Sequence, residues 1–296
     1  MGTIIEASAT AQGGPYPGAL GLADAAARLC LERAKRSAEQ VDLLINAGVY
    51  NDRGIGEPAI ASLIQEDIGA NPEQQPGTGQ GTFSFDVRNG GCGMLSGIQL
   101  ADGLLASKTV NLGLVVAADI DPEPGVSEGF GFPPVGGAVL ASADDSRAGF
   151  TAFRCATFPE FAGVYTGNVV WREDIRPAPN DQGRNVLTVE IAPSYPQQAL
   201  QCAESTVRQL AAANALDLNE IDLLVATASV AGFAAELAKR LGVHAQRVAL
   251  PSQHLAGAHT AALAVALESA RPKTGATTLF VSVGAGITVV AALYRG

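Results

Sequence analysis

Cys92 lies in the run Asn89-Gly90-Gly91-Cys92-Gly93-Met94, and a small-residue, apolar segment follows it from Leu95 to Ala106. Glycines on both sides let a substrate approach the main chain closely. A cysteine in a Gly-rich turn that opens a helix has the setting of a nucleophile. The free N–H groups and partial positive charge of the helix N-terminus favour thiolate, and a neighbouring imidazole can exchange its proton. The chain has only three histidines, His244, His254 and His259. His259 follows Ala256-Gly257-Ala258 and opens a second small-residue segment, Thr260 to Ala270. The other cysteines carry less: Cys30 and Cys202 read as small buried apolar residues, and Cys155 gives no chemical signal. The four cysteines are far apart with no CxxC pair, which argues against a zinc site or disulfide framework and leads to the expectation of a reducing cytoplasm.

The elements that must position Cys92 and His259 occur twice. A helix-period segment from Leu22 to Gln40 precedes the strand-like run Val41 to Val49, and a similar helix from Pro196 to Ala213 precedes Ile221 to Val230. Each run contains an Asp-Leu-Leu step, at Asp42 and at Asp222. Next come helices over Glu57–Ile68 and Gly232–Leu241, each ended by a glycine turn at Gly69 or Gly242. Short strands follow, Thr82–Val87 and Arg247–Leu250, and then the two Gly-rich turns that hold Cys92 and His259. Closing strands cover Leu112–Ala118 and Thr278–Val283. Alternating strands and helices predict parallel βαβ units. A matching order of elements predicts two halves about a pseudo-twofold axis, which would bring the two Gly-rich turns together. The expected organisation is residues 1–141 as the N-terminal half, 142–194 as an insertion or linker, and 195–296 as the C-terminal half. The aromatic-rich insertion, with its turn-rich loop Arg176 to Asp181, reads equally as a pocket wall or a connecting hairpin.

Composition sets bounds. The 296 residues are 47% hydrophobic and 16% charged, as in an ordered globular α/β protein. A net charge of −10 argues against nucleic acid as a partner. No run of about 18 apolar residues suggests a membrane span. No basic, apolar leader opens the chain, so a cytoplasmic protein is expected. No dinucleotide or phosphate-loop motif opens a helix, and no cofactor or metal is expected.

Phe85-Asp86-Val87 followed by Gly91-Cys92-Gly93 resembles the active-site cysteine segment of the thiolase superfamily, in particular the β-ketoacyl-acyl-carrier-protein synthase III family. Asn46 to Gly69, Gly136-Gly137-Ala138-Val139-Leu140 and Gly284-Ala285-Gly286-Ile287-Thr288 resemble further segments of that family. The resemblance implies a thiolase-like five-layer αβαβα fold and a homodimer. It implies an acyltransferase that takes its acyl group from acyl-CoA or acyl carrier protein and holds it on Cys92 as a thioester. His259 would be the acid/base, and the Cys92 and Ala285 N–H groups an oxyanion hole. Thr227 stands where the family carries a histidine, and Pro134-Val135-Gly136 replaces an acidic motif. The family's asparagine position falls on Gly257 without a gap, or on His259 with a two-residue insertion; His254 is the other candidate. A hydroxyl at position 227 carries no positive charge, so decarboxylative condensation should suffer more than acyl transfer to a carbon, oxygen or nitrogen acceptor. A partner-dependent or non-catalytic ketosynthase-like subunit, in a heteromeric complex, is the alternative.

Overall fold

A computed structural model describes residues 2–13, 18–71, 81–146, 148–175 and 183–296. The Arg176–Asp181 loop lies outside them. Eleven strands and six α-helices appear among the described residues. In the first half they run β1 (Gly2–Ala11), α1 (Ala19–Ala34), β2 (Leu43–Asn46), α2 (Ile60–Ile68), β3 (Phe83–Asp86), α3 (Gly93–Ala106), β4 (Leu112–Asp119) and β5 (Val135–Asp144). The second half comprises β6 (Gly149–Thr157), β7 (Tyr165–Arg172), β8 (Arg184–Ile191), α4 (Tyr195–Ala213), β9 (Leu223–Thr227), α5 (Phe233–Leu241), α6 (Ala262–Ser269), β10 (Thr277–Gly284) and β11 (Thr288–Arg295).

The first sheet has the order β1-β5-β4-β2-β3 and the second β6-β11-β10-β9. A parallel bridge from Leu224 to Val248 continues the second sheet where β3 stands in the first. The repeat is therefore real at the level of the sheets, and β6 matches β1. That pairing corrects the expected boundary. Residues 149–157 are not insertion but the edge strand of the second sheet, antiparallel to β11. Only the β7–β8 hairpin, a separate two-stranded sheet, stands outside the repeat. The parallel βαβ units occupy β2, β3 and β4, while β5 runs antiparallel to β4 and β1 antiparallel to β5.

Burial explains the layering. In β4 every residue from Leu112 to Asp119 is buried, as a sheet covered on both faces demands. One face of the first sheet packs on α1 and α2 through Leu22, Ala26, Cys30, Ile60 and Ile64. The facing surfaces of the two sheets enclose α3 and α6 in a shared core with Leu95, Ile98, Leu263 and Phe280. The outer face of the second sheet packs on α4 and α5. The result is five layers: helix, sheet, helix, sheet, helix. Small residues permit it. A Cβ on Gly97 in α3 would lie 2.8 Å from a Val115 methyl, so the helix seats on the strand only with glycine there. Both expected glycine turns end their helices in the left-handed region, Gly69 at φ 78° and Gly242 at φ 76°.

Candidate active site

The site is assembled around Asp119, the last residue of β4. An apolar strand ending in a carboxylate delivers one buried charge to the sheet's end, where main-chain donors are available. Oδ1 accepts the N–H groups of Val49 and Tyr50 at 2.9 and 2.7 Å. Oδ2 accepts the Thr260 N–H at 3.0 Å and the Thr260 hydroxyl in a short bond. The same oxygen faces Nδ1 of His259 at 3.0 Å. Burial alone would raise the carboxyl's pKa, but His259, Thr260 and the Tyr50 amide together hold it down at about 2. One carboxylate thus ties the loop after β2 to the turn before α6, and so one half to the other.

His259 is 4% exposed. Its ring stacks on Phe132 with centroids 4.6 Å apart and lies 5.3 Å from Tyr50. With Nδ1 donating to Asp119, Nε2 keeps its lone pair and points away from the carboxylate. It faces Gly90, where an added Cβ would stand 3.6 Å from Nε2. Gly90 has φ 50°, the left-handed conformation that a side chain disfavours. The imidazole therefore looks at a position with no side chain.

Cys92 is in the same turn but faces elsewhere. Gly90–Cys92 is a 3-10 turn that runs straight into α3, as the sequence suggests. The side chain is fully buried, and Sγ lies 3.2 Å from the Ser282 carbonyl and 3.3 Å from the Thr288 carbonyl, which share the thiol hydrogen. No hydrogen bond joins it to His259 among the described residues. Burial pushes the thiol up to about 12. The expected lowering is reversed here, because burial outweighs the main-chain hydrogen bonds from Val290 and Gly284 that favour thiolate. The Cys92 N–H is also committed, donating to the Asn89 carbonyl at 3.0 Å. As an oxyanion donor it is already used. The glycine loop does meet the turn: a Cβ on Gly91 would lie 2.6 Å from the Val283 carbonyl, and one on Gly284 3.3 Å from the Gly91 nitrogen. Ala285, itself exposed, opens the turn Ala285–Ile287, whose last residue is buried.

The remaining candidates separate. Thr227 ends β9, is 6% exposed, and its hydroxyl lies 3.0 Å from the hydroxyl of Ser282, the residue whose carbonyl accepts from Cys92. It lines a small cavity of about 100 Å3 together with Ala228, Phe233 and Leu255. His254 is exposed in the turn Gln253–Leu255, and His244 is exposed at the start of another. Sequence reasoning missed Asp119, Tyr50 and Phe132. The one available signal was an aspartate closing the run Leu112 to Ala118.

A family model described as the C-terminal domain of 3-oxoacyl-[acyl-carrier-protein] synthase III matches residues 211–296, the segment that holds His259 and the Gly284–Gly286 loop. The chain is 27% identical over 292 residues to β-ketoacyl-[acyl-carrier-protein] synthase III from Bordetella petrii, covering 93% of this chain and 80% of that protein. It is 26% identical over 290 residues to the protein of the same name from Alkalilimnicola ehrlichii, covering 93% and 83%. Among solved structures, the synthase III from Aquifex aeolicus superposes with a TM-score of 0.78 at 18% identity over all of both chains. OleA from Xanthomonas campestris, solved with lauric acid and lauroyl-CoA bound, gives 0.78 at 17% identity over 100% of this chain and 99% of that one. The five layers, the paired sheets and these likenesses agree: the fold is thiolase-like, and the chain resembles the β-ketoacyl-[acyl-carrier-protein] synthase III proteins.

Proposed function

We propose that this chain is an acyltransferase that acts on acyl thioesters, from CoA or an acyl carrier protein, with the Asp119–His259 pair as its proton-transfer group. The observation that carries the reading is that His259 Nε2 faces Gly90, while the buried Cys92 thiol is bonded to the Ser282 carbonyl and not to the imidazole. An acceptor hydroxyl, amine or activated carbon bound beside Gly90 would lose its proton to Nε2 as it attacks the thioester carbonyl. The carbon–sulfur bond then breaks, and the imidazolium returns the proton to the departing thiolate. Asp119 holds the ring and stabilises its charged form throughout. Transfer is direct in this reading. An acyl-cysteine stage on Cys92, the expectation from sequence, would need the sulfur to leave both carbonyl acceptors and reach the imidazole. The Ala285 N–H remains the candidate donor to the developing oxyanion.

Thiol release from a panel of acyl-CoA donors, followed with intact-mass measurement, tests this. His259→Ala should lower turnover by about 100-fold or more, the range a general acid–base contributes. Cys92→Ser should stay within about threefold, with no acyl adduct on either protein. An adduct on the wild type that Cys92→Ser lacks would replace direct transfer with the acyl-cysteine route.

A second reading, a subunit that works with a partner, is favoured by the edge of the first sheet. Among the described residues no strand pairs with the outer side of β3, and Phe83 there is 59% exposed. Association across this edge, with a second copy or with a related subunit, is consistent with the homodimer expected from sequence.

A further inference from the structure

A second cavity, of about 560 Å3, lies on the far side of Tyr50 from His259 and is unused by the chemistry above. Such a volume falls within the common range for small-molecule sites, about 300–1,000 Å3. The loop after β2 lines it with Val49, Tyr50 and Ile55, and the hairpin adds Val169 and Leu187. Three guanidinium groups share the wall with these apolar side chains: Arg53, Arg88 and Arg184. Arg184 is neutralised by an ion pair with Glu123. Arg53 and Arg88 have no carboxylate partner among the described residues, in a chain of net charge −10. Arg53 also adopts φ 51°, a left-handed conformation uncommon for a residue with a side chain, and it turns toward the cavity. Two guanidiniums without a carboxylate partner, in a cavity that also presents Val49, Ile55, Val169 and Leu187, suit a ligand with an apolar body and an anionic end, and their planar forks match a carboxylate.

We propose that this cavity binds the far end of the acyl group, and that Arg53 and Arg88 select acyl chains terminating in a carboxylate. The inference rests on the reading of His259 as the thioester site, since Tyr50 forms the wall common to both. Two CoA thioethers that lack the scissile carbonyl, S-(5-carboxypentyl)-CoA and S-hexyl-CoA, separate binding from turnover in isothermal titration. The carboxylate-ended compound should bind at least tenfold more tightly. In the double variant Arg53→Gln/Arg88→Gln that advantage should vanish while the affinity for S-hexyl-CoA stays unchanged. Equal losses for both compounds would mean that the arginines read the phosphates of CoA, and would overturn the proposal. So would an advantage that survives the double substitution. Adipic acid monoamide against hexanamide, by thermal shift, needs no CoA recognition. If neither thioether binds but the monoamide stabilises the wild type and not the double variant, the cavity assignment stands and the thioester reading falls. No stabilisation by the monoamide overturns the cavity assignment.

Discussion

At the scale of single residues, the chemistry turns on which groups face one another across the joint between the halves. Asp119 contributes position as well as charge, because its two oxygens are saturated by main-chain and side-chain donors from both halves. Replacing it with Asn would keep the shape but present N–H groups to donors and release the imidazole's orientation. Asp119→Asn should lose roughly 1–3 kcal/mol or more of stability in urea unfolding, the cost of leaving buried donors without their acceptor. Turnover should fall with it, on the order of 100-fold or more, as expected when a histidine loses the partner that fixes its tautomer. Its pH signature is specific. The folded carboxyl is held at about 2, below its ordinary 3.8, so its stabilisation is complete above 3.8 and is lost as the pH falls toward 2. Unfolding midpoints measured between pH 5 and pH 2 should fall in the wild type through that window, and the Asn variant should fall less. A parallel profile for the two proteins would show that the pair does not carry the dependence. Cys92 belongs to the same scale, and its sulfur is held by geometry: a thiol at 0% exposure between two carbonyls behaves as a core residue in this conformation.

At the scale of elements, close approach between helix and strand decides how accurately the turn carrying Gly90 is held. α3 enters the shared core with Leu95 and Ile98 fully buried, and Gly97 lets it rest against β2 and β4. Gly97→Val places branched carbon where a Cβ already falls 2.8 Å from a Val115 methyl and 3.3 Å from an Ile45 methyl. Overpacking of this kind costs about 1–3 kcal/mol, which should appear as a lower urea midpoint with an unchanged slope. The same variant should reduce turnover, since the start of α3 carries the turn that His259 faces. Loss of stability with full activity would separate the helix seat from the site. The sequence was informative at this scale wherever periodicity and glycine punctuation agreed. Helices α2, α5 and α6 and strands β2, β3 and β9 lie inside segments legible from the chain, α3, α4, β4 and β10 overrun theirs by one or two residues, and Gly69 and Gly242 end helices as their positions suggest. The antiparallel strands β1, β6 and β11 were not legible. Their identity depends on pairing with residues distant in the chain, such as Thr288 opposite Thr157, and no local period records that.

At the scale of the whole molecule, two sheets of matched order sandwich α3 and α6, and the free edge at β3 is the surface most suited to a second subunit. In the dimer proposed across this edge, Phe83→Lys should shift the population toward monomer in sedimentation velocity at micromolar concentration, because a charged edge resists strand pairing. An unchanged sedimentation coefficient would remove β3 from the interface. The described helices include none long and apolar enough to cross a membrane. The chain by itself determined the repeated βαβ order, the thiolase-like layering and the pairing of two Gly-rich turns, because these follow from hydrophobic period and turn chemistry that each segment carries locally. Only the tertiary structure decided which atoms meet at the joint. It set Asp119 behind His259, aimed Nε2 at Gly90 and turned the Cys92 thiol into the core. A side chain's direction at a turn is fixed by backbone dihedrals and by the carbonyls packed around it, and a residue's type and spacing do not specify either.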